Sequence, residues 1–184
     1  MQPSQHIKRQ RSAGFILYRT VREGVLFLLL FHSGKYWNFP KGKIENEKEN
    51  VWDTAIREIE EETGLTKQSL YFRRGFKTTE QYTFTERKQK ITKHVTYFLA
   101  ESKKTNIIIS PREHRGYGWF TYREAIGFLK HKNARRNLKE AYDFIQKTGV
   151  RRRQDGSARE RHHVRKSGAA HKPSTRPPSS RQRA

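Results

Sequence analysis

Arg57, Glu58, Glu61 and Glu62 are the residues whose types and spacing could do chemistry in this chain. On a helix, with about 100° between successive residues, positions i, i+3 and i+4 share a face, so the three glutamates would stand together. Like charges so placed weaken an isolated helix by about 0.2–0.5 kcal/mol per pair, which a solvated helix tolerates. An acidic solvent face is therefore the plain reading of the run. Three carboxylates on one rigid face are also what a hard divalent cation with oxygen ligands needs. The element that must carry them lies within Lys41–Leu65. Trp52, Ala55, Ile56, Ile59 and Thr63 form a second stripe that can be buried. Gly64 supplies the left-handed residue that closes the helix.

The run Arg57-Glu58-Ile59-Glu60-Glu61-Glu62-Thr63-Gly64-Leu65 resembles the second half of the Nudix box, R-E-U-x-E-E-x-G-U, with U a bulky aliphatic residue. The first half of that pattern is G-x5-E-x7-R. Glu49 has the correct spacing to Arg57, whereas Gly42 stands one residue too far from Glu49. The extra residue falls in the loop Lys43–Lys48 and leaves the helix register intact. Tyr36 to Glu45, YWNFPKGKIE, is similar to the bis(5'-nucleosyl)-tetraphosphatase branch of the family. So is Tyr82-x-Phe84 followed by Lys93-x-Val95-x-Tyr97-Phe98-Leu99-Ala100. Ser110 to His114 is similar to that branch's S-x-E-H, with one residue added.

The resemblance implies an α/β fold, a Nudix-type α/β/α sandwich with a mixed sheet. It assigns Glu61 and Glu62 as metal ligands, Glu58 as ligand or general base, and the Gly42 carbonyl and Glu113 as further ligands. Arg57 joins Glu58 in the catalytic machinery by orienting a box carboxylate, and Glu49 supports that arrangement. Lys41, Lys43 and Lys93 would contact phosphate, and Tyr82 would stack on a base. The implied cofactor is Mg2+, with Mn2+ as the alternative. Each assignment has an ordinary counterpart: solvated lysines, a tyrosine packed on a strand, a surface acid at Glu113. His114 is a phosphate donor or an ordinary loop histidine.

The remaining elements must position these groups. Ser12–Tyr18 has strand composition, Arg22-Glu23-Gly24 is a turn, and Val25–His32 is an apolar run of buried-strand length. Ser33–Pro40 is expected to be a loop, with Trp37 and Phe39 as core aromatics. Leu70–Phe76 and Glu80–Glu86 are strand candidates, and the latter forms a hairpin with Ile91–Ala100 through a four-residue connection, Arg87–Lys90. Asn106–Ser110 is a short apolar piece, and Pro111–Trp119 is a loop entering a strand. Thr121-Tyr122-Arg123-Glu124 is a capping box opening a helix that runs to about Lys130. A last helix, about Ala134–Gln146, should stop at Gly149.

The chain has 184 residues, a formal charge of +22 and no cysteine. Absence of thiols excludes disulfides, thiolate metal sites and cysteine nucleophiles, and fits a reducing cytoplasm. No apolar run of membrane-spanning length and no signal-peptide pattern is present. So basic a chain attracts polyanions. Residues 1–149 read as one domain and 150–184 as a tail. The tail is rich in arginine and lysine against Asp155 and Glu160, without aromatic residues. It cannot bury enough apolar surface to offset its ordering entropy, so disorder is expected. Its role is solubility or RNA contact through phosphates; sequence reading by base stacking is not expected.

The chemistry follows. A phosphoanhydride is dense in negative charge that repels a nucleophile; a divalent cation neutralises it and acidifies a bound water. A base takes that water's proton, while cationic side chains steady the leaving phosphate. The leading expectation is hydrolysis of a nucleoside polyphosphate, most like a dinucleoside tetraphosphate. RNA 5'-pyrophosphohydrolase activity is the rival, and a non-catalytic RNA-binding module is a second class.

Overall fold

The computed structural model describes residues 7–46 and 48–159, the last ten of these as backbone only. By internal contacts the chain divides into two units, Met1–Thr148 and Gly149–Ala184. The first unit is built on a mixed sheet. Its strands are β1 (Lys8–Val21), β2 (Gly24–His32), β3 (Tyr36–Asn38), β4 (Lys41–Lys43), β5 (Leu70–Phe72), β6 (Thr78–Glu86), β7 (Gln89–Ser102) and β8 (His114–Thr121). The helices are α1 (Val51–Thr63), α2 (Tyr122–Phe128) and α3 (Lys132–Arg159). The central path runs β3-β2-β1-β7-β5, with β4 on β1, β6 on β7 and β8 on β2. The β1–β7 pair is parallel, and the other pairs are antiparallel.

Alternation along β1 divides the core between the two faces. Ala13, Phe15 and Leu17 pack with Ala55, Ile56 and Ile59 of α1. Ile16 and Tyr18 belong to the opposite cluster, with Ala125 of α2 and Leu138, Ala141 and Ile145 of α3. Helices thus cover both faces, which is the α/β/α sandwich the sequence implied.

Local chemistry explains where expectation and structure part. The β1 strand begins at Lys8, ahead of the Ser12–Tyr18 expected, because the Lys8–Arg11 backbone is paired in the parallel register Lys8↔Ile91 to Arg11↔His94. The expected loop Ser33–Pro40 contains β3, whose Tyr36–Asn38 return along β2 opposite Leu30–His32. The hairpin connection is two residues rather than four: Glu86 pairs with Gln89, and Arg87 and Lys88 both hold positive φ, 47° and 65°. Two left-handed residues match the twist of the flanking strands. The Leu70–Phe76 strand ends at Phe72, after which Phe76 packs on Phe144.

Both helix signals around the site hold. Asn50 Oδ1 accepts the Asp53 amide at 2.8 Å and caps α1, and Gly64 ends it at φ 66°. The capping box of Thr121 and Glu124 opens α2. Gly149 does not end α3, whose backbone continues to Arg159; a single glycine lowers helix propensity by only about 1 kcal/mol. From residue 160 the expected disordered tail lies outside the described residues. Among the described residues no helix is long and apolar enough to cross a membrane.

Candidate active site

The apolar stripe of α1 is pressed onto the sheet, and this turns the carboxylate stripe toward β4 and the start of β8. Arg57 organises its outer part. Its Nε donates to Glu49 Oε1 at 2.9 Å, Nη1 donates to Glu58 Oε1 at 2.7 Å and Glu61 Oε2 at 3.3 Å, and Nη2 donates to the Lys43 carbonyl at 3.0 Å. The Arg57 guanidinium holds the Glu49 carboxyl below its ordinary range. Arg57 is thus a clamp on three carboxylates, those of Glu49, Glu58 and Glu61.

Glu58 is 8% exposed. Burial drives its carboxyl up to about 7, against the lowering effect of Arg57 and with Glu62 and Glu61 adding to the rise. Gly42 of β4 makes this placement feasible. A Cβ there would stand 1.8 Å from the Glu58 carboxyl carbon, so only a glycine leaves that carboxyl where it stands. Glu61 lies further out, with its side chain 59% exposed.

Glu62 is buried and points elsewhere. Its Oε2 accepts the Lys41 amide at 2.7 Å, and its Oε1 lies 3.0 Å from His114 Nε2. Glu62, Glu113 and His114 bring one ligand atom each within 4.8 Å of one another. By their contacts, Glu58 and Glu61 meet around Arg57, with Gly42 packed on Glu58, and Glu62 meets Glu113 beside His114, while the Glu62 charge still acts on Glu58. Glu113 is fixed by its backbone, whose carbonyl accepts the Ser33 amide at 2.9 Å and whose amide donates to Ser110 at 3.2 Å. The residues fit a divalent cation, since the buried Glu62 carboxylate, the exposed Glu113 carboxylate and an imidazole with no hydrogen bond at either ring nitrogen converge there.

A cavity of about 630 Å³ adjoins these groups, lined in part by His32, Tyr36, Lys41, Glu80, Tyr82 and Lys93. Lys41 joins it to the acidic cluster through the hydrogen bond that its backbone amide donates to Glu62. His32 does so through its ring, edge-on to His114 at 5.6 Å between centroids. Of the expected phosphate and base contacts, Lys41, Lys93 and Tyr82 line the cavity. Lys43 does not; its carbonyl serves Arg57 instead. Burial, then the neighbouring Lys41 charge, pull the Lys93 ammonium down to about 8, despite the carboxylates of Glu58, Glu62 and Glu80. Glu80 is buried and accepts the Tyr97 hydroxyl at 3.2 Å, and burial raises its carboxyl. His32 and Tyr36 stack at 4.9 Å and 17° on the cavity wall.

A family model described as the NUDIX domain matches residues 8–143. The chain belongs to the Nudix family. The Nudix box is thus the segment that the Arg57 clamp holds, and membership carries the expected enzyme class, hydrolysis of phosphoanhydrides. The chain is 32% identical over 144 residues to the asymmetrical bis(5'-nucleosyl)-tetraphosphatase of Mus musculus, covering 73% of this chain and 95% of that protein. It is 33% identical over 118 residues to the Caenorhabditis elegans protein of the same name, covering 63% and 82%. In structure it is similar to a C. elegans Ap4A hydrolase binary complex, with TM-score 0.68, 28% identity, and coverage of 75% of this chain and 98% of that one.

Sequence reasoning did not reach His32, Tyr36 or Glu80, and left His114 between two roles. Glu80 carried a usable signal: it stands two residues before Tyr82 on one strand, hence on the same face. His32 and Tyr36 carried none, because they meet only once β3 folds back on β2.

Proposed function

We propose that the protein hydrolyses a phosphoanhydride bond of a nucleoside polyphosphate, with a dinucleoside tetraphosphate as the preferred substrate. The observation that carries this reading is the junction of a carboxylate-lined helix face with a cavity lined by Lys41, Lys93, Lys132 and several rings, through the Lys41–Glu62 hydrogen bond. The names of the relatives agree with it.

A Mg2+ or Mn2+ ion would be held by Glu58, Glu61, Glu62, Glu113 and the Gly42 carbonyl, and would supply charge neutralisation and an acidified water. The protein's own groups do the rest. Glu58, with a carboxyl near neutrality, takes the proton of the attacking water. Arg57 keeps Glu58 and Glu61 in place. Lys41 and Lys93 hold the phosphate chain and favour the charge on the departing phosphate. Tyr82 on one side and Tyr36 with His32 on the other receive a base. Residues 1–149 are the catalytic domain, and the basic segment 150–184 is an appendage that contacts polyanions. We place the protein in the cytoplasm.

The test is product analysis with Mg2+ on diadenosine tetraphosphate and a 5'-triphosphorylated RNA side by side. Glu61→Gln serves as control, since its exposed side chain can change without unfolding the domain. ATP and AMP from the dinucleotide, lost in the variant, are expected. The charge of +22 favours one second reading, and faster release of pyrophosphate from the RNA would establish that reading instead. Neither product from a folded protein that binds RNA would overturn the enzymatic reading.

A further inference from the structure

His114 is 5% exposed at the first position of β8, and its ring has no hydrogen-bond partner at either nitrogen. Its main chain is satisfied, the amide donating to Ser110 at 3.0 Å. Leaving a buried donor or acceptor unpaired costs about 1–3 kcal/mol, so a ring kept only for packing would have been turned toward a partner. Instead Nε2 sits 3.0 Å from Glu62 Oε1 in an orientation that makes no hydrogen bond. The other Glu62 oxygen is already tied to the Lys41 amide. A carboxylate oxygen and an imidazole nitrogen thus stand 3.0 Å apart without a hydrogen bond, and the Glu113 carboxylate closes the group.

That spacing has a simple origin. Two ligand atoms about 2.1 Å from an octahedral ion, at right angles, stand about 3.0 Å apart. We infer that His114 is a direct nitrogen ligand, which with Glu62 and Glu113 makes this subsite selective for a transition-metal divalent ion over Mg2+. Oxygen-only sites suit Mg2+, Ca2+ and Mn2+; an imidazole in the set shifts preference toward Zn2+, Fe2+ and Ni2+, and Mn2+, the weakest binder of that series, still reports a bound nitrogen. Nε2 is the ligating atom, since it is the nitrogen that faces Glu62. The His32 ring stands edge-on to His114, with 5.6 Å between centroids, where the cavity meets this cluster. The inference rests on the proposed function only for the presence of a divalent ion.

The experiment uses the full chain with one equivalent of Mn2+ and no substrate, read by pulsed electron spin-echo spectroscopy. Wild type is expected to show nuclear modulation from a directly bound 14N, changing to the 15N pattern after histidine labelling. His114→Gln should lose that modulation. Its Mn2+ affinity should drop by about tenfold or more, with a much smaller change for Mg2+. Absence of the coupling in wild type overturns the inference, as does its persistence in the variant. Weaker Mn2+ binding without any coupling also overturns it, because His114 then only orients Glu62. Should His114→Gln fail to fold by circular dichroism, long-range 1H–15N spectra of the wild type with Zn2+ decide. A shift of one His114 ring nitrogen to the metal-bound range supports ligation, and an unmoved ring refutes it. Hydrolysis is assayed separately, so a protein that shows the coupling but cleaves no nucleoside polyphosphate would sink the proposed function and leave this inference standing.

Discussion

Replacing Glu58 by glutamine should make the metal-free protein more stable while it loses activity. The Glu58 carboxyl is lifted by burial from its ordinary 4.5 to about 7. Each unit of such a shift corresponds to about 1.4 kcal/mol of disfavoured ionisation, so forcing the charge at pH 8 costs the fold up to about 3 kcal/mol. Glutamine carries no charge, keeps an acceptor for Arg57, and leaves Arg57 paired with Glu49 and Glu61. The weakened Arg57 contact offsets part of the gain, leaving about 1–3 kcal/mol, or a rise in Tm of about 2–10 °C. The sign follows from the two protonation states. Above pH 7 the wild-type carboxyl is ionised in both folded and unfolded chains, and the variant's advantage is complete. Between 7 and 4.5 the folded wild type takes up the proton and the advantage shrinks; below 4.5 it is gone. Thermal unfolding in EDTA at pH 8 and pH 4.5 measures this, with hydrolysis followed in parallel. Saturating Mg2+ should stabilise wild type more than the variant, because it binds the folded carboxylate. A variant no more stable than wild type at pH 8, or equally favoured at pH 4.5, would refute the account of Glu58 as a buried charge held for function.

Lys93 should impose a descending limb near pH 8 on kcat/KM: its ammonium is charged below that value and neutral above it, so the wild-type value falls about tenfold by pH 9. Lys93→Arg keeps its charge and should push the limb out of range; an unchanged limb assigns it to another group. Gly42→Ala should cut turnover sharply with a modest loss of stability, since the new methyl displaces the Glu58 carboxyl rather than backbone; wild-type kinetics would show that Glu58 need not stand there. Tyr82→Ala should raise KM for a nucleotide by about five- to a hundredfold with kcat little changed, because base stacking is worth about 1–3 kcal/mol; an unchanged KM removes it from base binding.

The fold was legible where periodicity and caps are local. The α1 stripe, Gly64, the Thr121 box and the alternation of β7 each announce themselves within a few residues, and the Arg57 clamp follows from the helix register once Glu49 is placed. The division of the carboxylates was not legible, because Glu62 is turned by the Lys41 amide, a partner 21 positions away. His114 was unreadable for the same reason: its meaning lies in what its ring fails to touch. The start of β1 and the length of α3 depend, respectively, on a distant strand and on helix continuity that outlasts one glycine.

The central parallel pair has a consequence for how the protein is made. Tyr18 of β1 lies beside Glu101 of β7, 83 positions later. During synthesis β1 leaves the ribosome early, with its apolar faces exposed and one long edge unpaired, and waits for most of the domain before its neighbour emerges. Closing so long a connection is entropically slow, and the unpaired edge invites association with other chains meanwhile. The box helix, made in between, has half a sheet to rest on until β7 arrives. Ribosome-bound chains halted before β7 should therefore be the species most dependent on chaperones, and the lysines and arginines at Lys8, Arg9 and Arg11 sit where they can keep such edges apart.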